Sequence, residues 1–147
     1  MKPFSITFTV PGAAIPKARA RVVKVKGRTM AFTPEKTVNF ESLVSWTAKQ
    51  AMEGKDMWMG PVKATIEVIL PIPTSWSGKR KMEAAADHIA PTKKPDADNI
   101  QKALFDAMNE IVFKDDSQVV DIHCWKRYGL TPETRIRIES TCQEAAK

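Results

Sequence analysis

The stretch Lys93-Lys94-Pro95-Asp96-Ala97-Asp98-Asn99-Ile100-Gln101-Lys102, with Asp115-Asp116 further on, holds the side chains best suited to chemistry. Asp96 and Asp98 stand two residues apart on the approach to a helical pattern. Lys102 lies one turn inside that pattern, and the second acidic pair follows where the helix has ended. Clustered carboxylates repel one another, and a protein usually keeps such a group together when a cation shares it. Ligands that are all oxygen favour hard divalent ions, Mg2+ or Mn2+, over zinc. The two histidines, His88 and His123, are too few and too scattered for a zinc site. An acid-bound metal in a chain of net charge +6 suggests chemistry on a polyanion, and nucleic acid is the obvious one.

Each residue also has a plain structural account. Asp98 stands where an N-cap belongs, and Gln101 three residues on completes a capping-box pattern. Considered alone, Asp98 is better read as a cap than as a ligand. Asp96, just outside the helix and directly after Pro95, has no such role. Lys102 points almost opposite the apolar stripe, where a solvated lysine would bridge Asp98 and Asp106 at four-residue spacing. Asp115-Asp116 reads equally as a polar turn between helix and strand. The conjunction favours a site. A helix starting at Asn99 is only about 20 Å long, so the strand after it can return beside its start and bring a carboxylate to Asp96 and Asp98.

The elements that must position these groups follow from hydrophobic period. Phe4, Ile6, Phe8 and Val10 alternate with polar residues as a half-buried strand does, and Pro11-Gly12 ends it. Arg21–Lys26 and Arg28–Phe32 form a ribbon turning at Lys26-Gly27. Thr33 and Pro34 open a helix whose stripe is Phe40, Leu43, Val44, Thr47, Ala48 and Ala51, with Gly54 as its stop. A strand spans 62–70, a short helix 77–90 and the acidic helix 99–112, whose apolar face is Ile100, Ala103, Leu104, Ala107, Met108 and Ile111. Two strands, 118–128 and 134–141, close the chain. The order predicts one α+β domain over 1–147, with helices packed on a mixed, mostly antiparallel sheet. Trp46 and Trp125 are assigned to the core. Phe105 lies off its helix's stripe, facing a subunit interface or wedging into an opened nucleic acid, and Trp76 stands beside Lys79-Arg80-Lys81, where an unpaired base could stack. Ordinary packing is the better account of both. The Met57-Trp58-Met59 run reads as a loop tucked onto an apolar surface.

Charge is distributed unevenly. Residues 1–34 carry seven basic side chains and no acid, whereas the remaining sixteen of the 23 basic residues face all 17 acids. Lys17, Arg19, Arg21, Lys24, Lys26 and Arg28 of this arm, with Lys79, Arg80, Lys93 and Lys94 in two lesser patches, are the candidate contacts to a phosphate backbone. No apolar run approaches the roughly 20 residues that span a bilayer, and the N-terminus lacks a signal's apolar region. Cys124 and Cys142 have no metal-type spacing and read as reduced packing residues of a cytosolic protein.

The runs KKPDADNIQKALFDAM and VFKDDSQVVD resemble the signature of RusA-type Holliday-junction endonucleases, common in phages and prophages. VPGAAIPKARARV with FTPEKTVNFE resembles the opening of the phage-type members, so the likeness covers residues 6 to 140. Ala97, where many relatives carry a larger apolar residue, is a tolerable departure. The resemblance implies catalytic carboxylates at Asp96, Asp98 and Asp116, an essential Lys102, Mg2+ dependence, a homodimer and cleavage of four-way DNA junctions in a bacterial cytoplasm. In such a site Asp96, Asp98 and Asp116 hold one or two Mg2+ ions, for which Mn2+ substitutes, and Lys102 offsets charge on the phosphorane or its leaving oxygen. Asp115 and Asp106 rank behind them, as a turn residue and as a partner holding Lys102. Two rivals stand: a non-catalytic basic nucleic-acid-binding module whose acids are caps and turns, and a small-molecule phosphohydrolase, which would have no use for the acid-free arm.

Overall fold

The computed structural model describes residues 3–17, 21–32 and 35–146. The alternation at the N-terminus becomes β1 (Ser5–Pro11), with Ile6, Phe8 and Val10 buried. The basic ribbon forms as β2 (Arg21–Val25) and β3 (Arg28–Phe32), an antiparallel pair separate from the main sheet. Its two-residue turn has φ of 51° at Lys26 and 77° at Gly27, the left-handed pair that a tight hairpin needs to match the twist of its strands.

The remaining elements are α1 (Glu35–Ala51), β4 (Val62–Pro71), α2 (Gly78–Ala85), α3 (Ala97–Met108), β5 (Val119–Gly129) and β6 (Glu133–Ser140). The main sheet has the order β1-β6-β4-β5, in which β6 is antiparallel to both neighbours and β5 is parallel to β4. A parallel pair needs a long crossover, and α2 and α3 supply it. This is the expected α+β architecture with a mixed, mostly antiparallel sheet. Buried side chains of β1, α1, β4, α3 and β6 form one apolar cluster. Ser45 of α1 donates to the Ala107 carbonyl of α3 at 2.8 Å, tying the two helices side by side.

The register sorts β5 into two faces. Cys124, Lys126 and Tyr128 pair with Ile66, Val68 and Leu70 and share their helix-covered side. His123, Trp125 and Arg127 pair with Thr65, Glu67 and Ile69, on the face where Glu67 accepts from Arg127 Nε (3.0 Å) and Arg135 Nη1 (3.2 Å).

Several expectations are corrected here. Trp125 is 36% exposed and stacks on His123 on that ionic face, because the register with Glu67 turns it away from the core. Trp46 is 62% exposed: α1 buries Thr37, Phe40, Val44 and Ala48, and a residue two past Val44 lies on the far side of a helix. Phe105 packs edge-to-face on Phe113 and is buried, as ordinary packing required. Cys142 lies beyond β6 and is exposed, while Cys124 is half-buried, and both are free thiols. The helix expected over 77–90 stops at Ala85, followed by Asp87 in left-handed conformation (φ 64°). Trp58 does tuck in, stacked on Phe4 with ring centroids 5.3 Å apart.

Candidate active site

The acidic helix begins two residues earlier than its sequence suggests. Asp96 holds the N-cap position in extended conformation, and its carbonyl already accepts from the Ile100 amide at 3.1 Å. Ala97, the best helix former, is therefore the first helical residue, and Asp98 sits inside the first turn. There its carboxylate complements the positive end of the helix dipole, and the box with Gln101 does not form. On β5, Cys124 keeps a free, half-buried thiol. Burial pushes that thiol's pKa up. The Asp96 side chain makes no capping bond.

Asp98, Lys102 and Asp106 recur at four-residue spacing and share one exposed face of α3. Among the described residues Lys102 takes part in no ion pair, so the expected link to Asp106 is absent. Asp106 pairs with Lys17 at 3.3 Å. Lys17 also holds Glu41 of α1 at 2.6 Å, and its backbone amide donates to the Asn99 carbonyl. The hydrogen bond to Glu41 is the largest cause of the raised Lys17 pKa, with Asp106 adding to it against desolvation. Lys17, expected on the DNA, thus ties the N-terminal segment to α1 and α3.

The second acidic pair divides its labour. Asp115 caps the 3-10 turn Asp116–Gln118, accepting from the Ser117 amide at 3.0 Å while Gln118 Oε1 accepts from the Asp115 amide at 3.1 Å. Those bonds from Ser117 hold the Asp115 carboxyl below its ordinary pKa. Gln118 Nε2 donates to the carbonyls of Trp58 and Gly60 at 3.0 and 2.9 Å, anchoring the turn to the 57–60 loop. The Asp-Asp-x-Gln pattern is in this respect a built turn, and it leaves Asp116 free of capping. Partial burial raises the Asp116 pKa, and the negative charges of Asp115 and Asp106 raise it further. Asp116 therefore feels the C-terminal half of α3, about 12 Å along the helix from Asp98. Among the described residues no three acidic, histidine or cysteine side chains stand close enough to share one ion.

Lys126 escaped the sequence reading. From β5 its ammonium donates to the Lys93 and Pro95 carbonyls at 3.1 and 3.0 Å, clamping the loop that delivers Asp96. Nothing local marks it, because its partners lie some thirty residues upstream.

Of the other candidate DNA contacts, Lys24, Lys26 and Arg28 are exposed on the ribbon, and Lys79, Lys93 and Lys94 are exposed elsewhere. Arg80 lies over the Trp76 ring at 4.1 Å. Arg21 is the first residue of β2, and Arg19 falls outside the described residues. If the ribbon lies on phosphate, replacing Lys24, Lys26 and Arg28 by Ala lowers the log–log salt slope of DNA binding by roughly 2–3. Lys17→Ala is expected to leave that slope nearly unchanged and to lower the melting temperature instead. A salt titration of each variant, with a thermal melt, checks both.

A hollow of about 810 Å³ between the 57–61 loop and residues 140–145 is lined by none of the acidic residues above.

A family model described as Endodeoxyribonuclease RusA matches residues 11–139. The chain belongs to the RusA endodeoxyribonuclease family. It is also 35% identical over 135 residues to a Bacillus subtilis (strain 168) protein named Uncharacterized protein YqaN, a match covering 90% of this chain and 94% of that one. The family match takes in Asp96, Asp98, Lys102 and Asp116 together with the ribbon. No described helix is long and apolar enough to cross a membrane.

Proposed function

We propose that this RusA-family chain is a divalent-metal-dependent endonuclease that resolves four-way DNA junctions and related branched DNA, acting as a homodimer in the bacterial cytoplasm. The observation that carries the reading is an aspartate at the N-cap of α3 whose side chain does no capping, with Asp98 in the first turn and beyond it a Lys102 that makes no ion pair among the described residues. A cap that does not cap leaves its carboxylate available.

The donor chemistry fits a hard cation, since every candidate ligand is a carboxylate oxygen. Asp96 and Asp98 at the start of α3 and Asp116 beside its C-terminal half, which among the described residues do not converge on a single ion, would supply carboxylates to one or two Mg2+ or Mn2+ ions. A bound ion would polarise the scissile phosphodiester and acidify an attacking water. Lys102 would place positive charge where the phosphorane or its leaving oxygen becomes more negative. The Lys126 clamp fixes the approach to Asp96, and the Asp115 cap fixes the turn behind Asp116. The exposed lysines and arginine of the ribbon supply long-range attraction for the DNA backbone.

A gel assay on a synthetic four-way junction tests the reading. Cleavage is expected with Mg2+ or Mn2+ and none with EDTA. Equal binding in both conditions and no cutting in either would favour the basic binding module, which draws support from the structural role of Asp115.

Resolution into two duplexes needs matched cuts in two opposed strands, and one chain carries one acidic site. A two-fold pair supplies the second in the right symmetry. Light scattering is expected to give the mass of a dimer, twice 16.4 kDa. A monomer that still makes paired nicks on one junction would contradict this.

A further inference from the structure

The loop that delivers Asp96 also forms one wall of a cleft of about 340 Å³, whose other walls are Ala13 and Ala14 after β1 and the ends of β4 and β5. Its surfaces are stiff and apolar. Pro71 and Pro73 follow from β4, Pro91 and Pro95 come from the loop, and the Tyr128 ring comes from β5. The charged residues that line it, Lys93 and Lys94, are both cationic and both exposed.

We propose that this cleft is a subsite for one unpaired nucleobase of the branched DNA, with the adjoining phosphate held by Lys93 and Lys94. The inference rests on the endonuclease reading and deepens it by naming what the protein grips beside the cut.

Three observations point to a base. The first is shape and surface. The volume is at the small end of the range that encloses a single small molecule, and flat proline and tyrosine faces suit a ring with a π-face, whatever its sequence identity. Tyr128 is braced in place by Trp76, edge-on at a centroid distance of 5.3 Å, so little side-chain entropy remains to be lost on stacking. The second is charge. Lysines at the rim complement a phosphate, and the Arg80–Trp76 stack carries the aromatic surface on toward the exposed Lys79, which gives the backbone a cationic way out.

The third is position. Pro95 is a wall of the cleft and is bonded directly to Asp96. Lys126 holds the Lys93 and Pro95 carbonyls together from β5, so cleft and acid move as one piece. A base seated there belongs to a nucleotide at or next to the scissile phosphate. Paired DNA keeps its bases stacked inside the duplex, whereas a branch point can release one at smaller cost. The cleft would thus favour branched over linear DNA with no base-specific hydrogen bond.

The test is a thermodynamic cycle read by binding, in Ca2+ to prevent cutting. Junctions carry a single abasic site, scanned through the positions flanking the branch point. For the wild-type protein, one position is expected to weaken binding about tenfold, the scale of one base–aromatic stack. In Ala13→Phe, which adds bulk from an exposed lining residue, intact and abasic junctions are expected to bind within twofold of each other. Tyr128→Ala is expected to behave the same way and Tyr128→Phe to restore the difference. Circular dichroism melts confirm that each variant is folded, and Ala13→Phe leaves the half-buried tyrosine untouched. If no position shows a loss, or the loss persists undiminished in Ala13→Phe, the base subsite is wrong. Mg2+-dependent junction cleavage by that same wild-type preparation would then leave the endonuclease reading standing. Wild-type protein that binds junction no better than duplex and cuts neither would bring down both.

Discussion

Asp116→Asn is expected to abolish junction cleavage and, at neutral pH, to make the protein more stable. The first half follows from the proposed role: Asn keeps the size of the side chain and removes the ligand charge, and losing one member of a catalytic unit costs roughly 10⁴–10⁶ in turnover. Asp96→Asn and Asp98→Asn are expected to lose as much.

The second half follows from burial and like charge. Partial burial and the charges of Asp115 and Asp106 raise the Asp116 pKa in the folded state, so the folded protein binds this proton more tightly than the unfolded chain does. The ionised carboxylate therefore opposes folding above its folded pKa. That penalty is relieved as pH falls from there to the unfolded value of about 3.9. The variant has no penalty to relieve. Its melting temperature is expected to exceed wild type slightly at pH 7, with the gap closing as pH falls through that window. Asp115→Asn provides the contrast. Its carboxyl is held below the ordinary pKa by Ser117, an amide oxygen can still cap, and cleavage is expected to fall much less. Full cleavage by a folded Asp116→Asn protein would remove Asp116 from the site.

Lys102→Ala is expected to separate binding from chemistry. The side chain is exposed, forms no ion pair among the described residues and lies opposite the buried Ile100, Leu104 and Met108, so its truncation leaves the core and the Lys17–Asp106 pair intact. Junction affinity in Ca2+ is expected to fall little, because the ribbon cations remain. Single-turnover cleavage in Mg2+ is expected to fall by about 10²–10³, the cost of losing one group that stabilises transition-state charge. Metal affinity is expected to stay level or rise slightly, since the lysine no longer competes for the same negative field. Lys102→Arg is not expected to restore full rate, because a planar guanidinium does not reproduce a compact ammonium. Equal losses in binding and turnover would make Lys102 a DNA anchor and nothing more.

What the amino-acid order determines by itself is local. Alternation along Phe4–Val10 makes β1, three- and four-residue spacing of Ile100, Ala103, Leu104, Ala107 and Met108 buries one side of α3, and Lys26-Gly27 turns the ribbon. Each depends on the backbone period within one segment, so a reader of that segment can see it. The first candidate site residues are visible for the same reason: Asp96, Asp98 and Lys102 fall within seven positions.

Tertiary structure decided everything that depends on a neighbour from elsewhere in the chain. The β4–β5 register, and not apolarity, sent Trp125 to the ionic face. Glu41 and Asp106 engage Lys17, read from the sequence as a DNA contact, in ion pairs, and Lys126 reached back to clamp the loop before Asp96. Asp116 came to lie under the influence of Asp106, and Gln118 left the local pattern to bind the 57–60 loop. A charged or polar side chain has many equally good local environments, exposed to water. Which one it takes is set by the long-range packing that brings a particular carbonyl or carboxylate within about 3 Å of it, and nothing within its own segment records that distance.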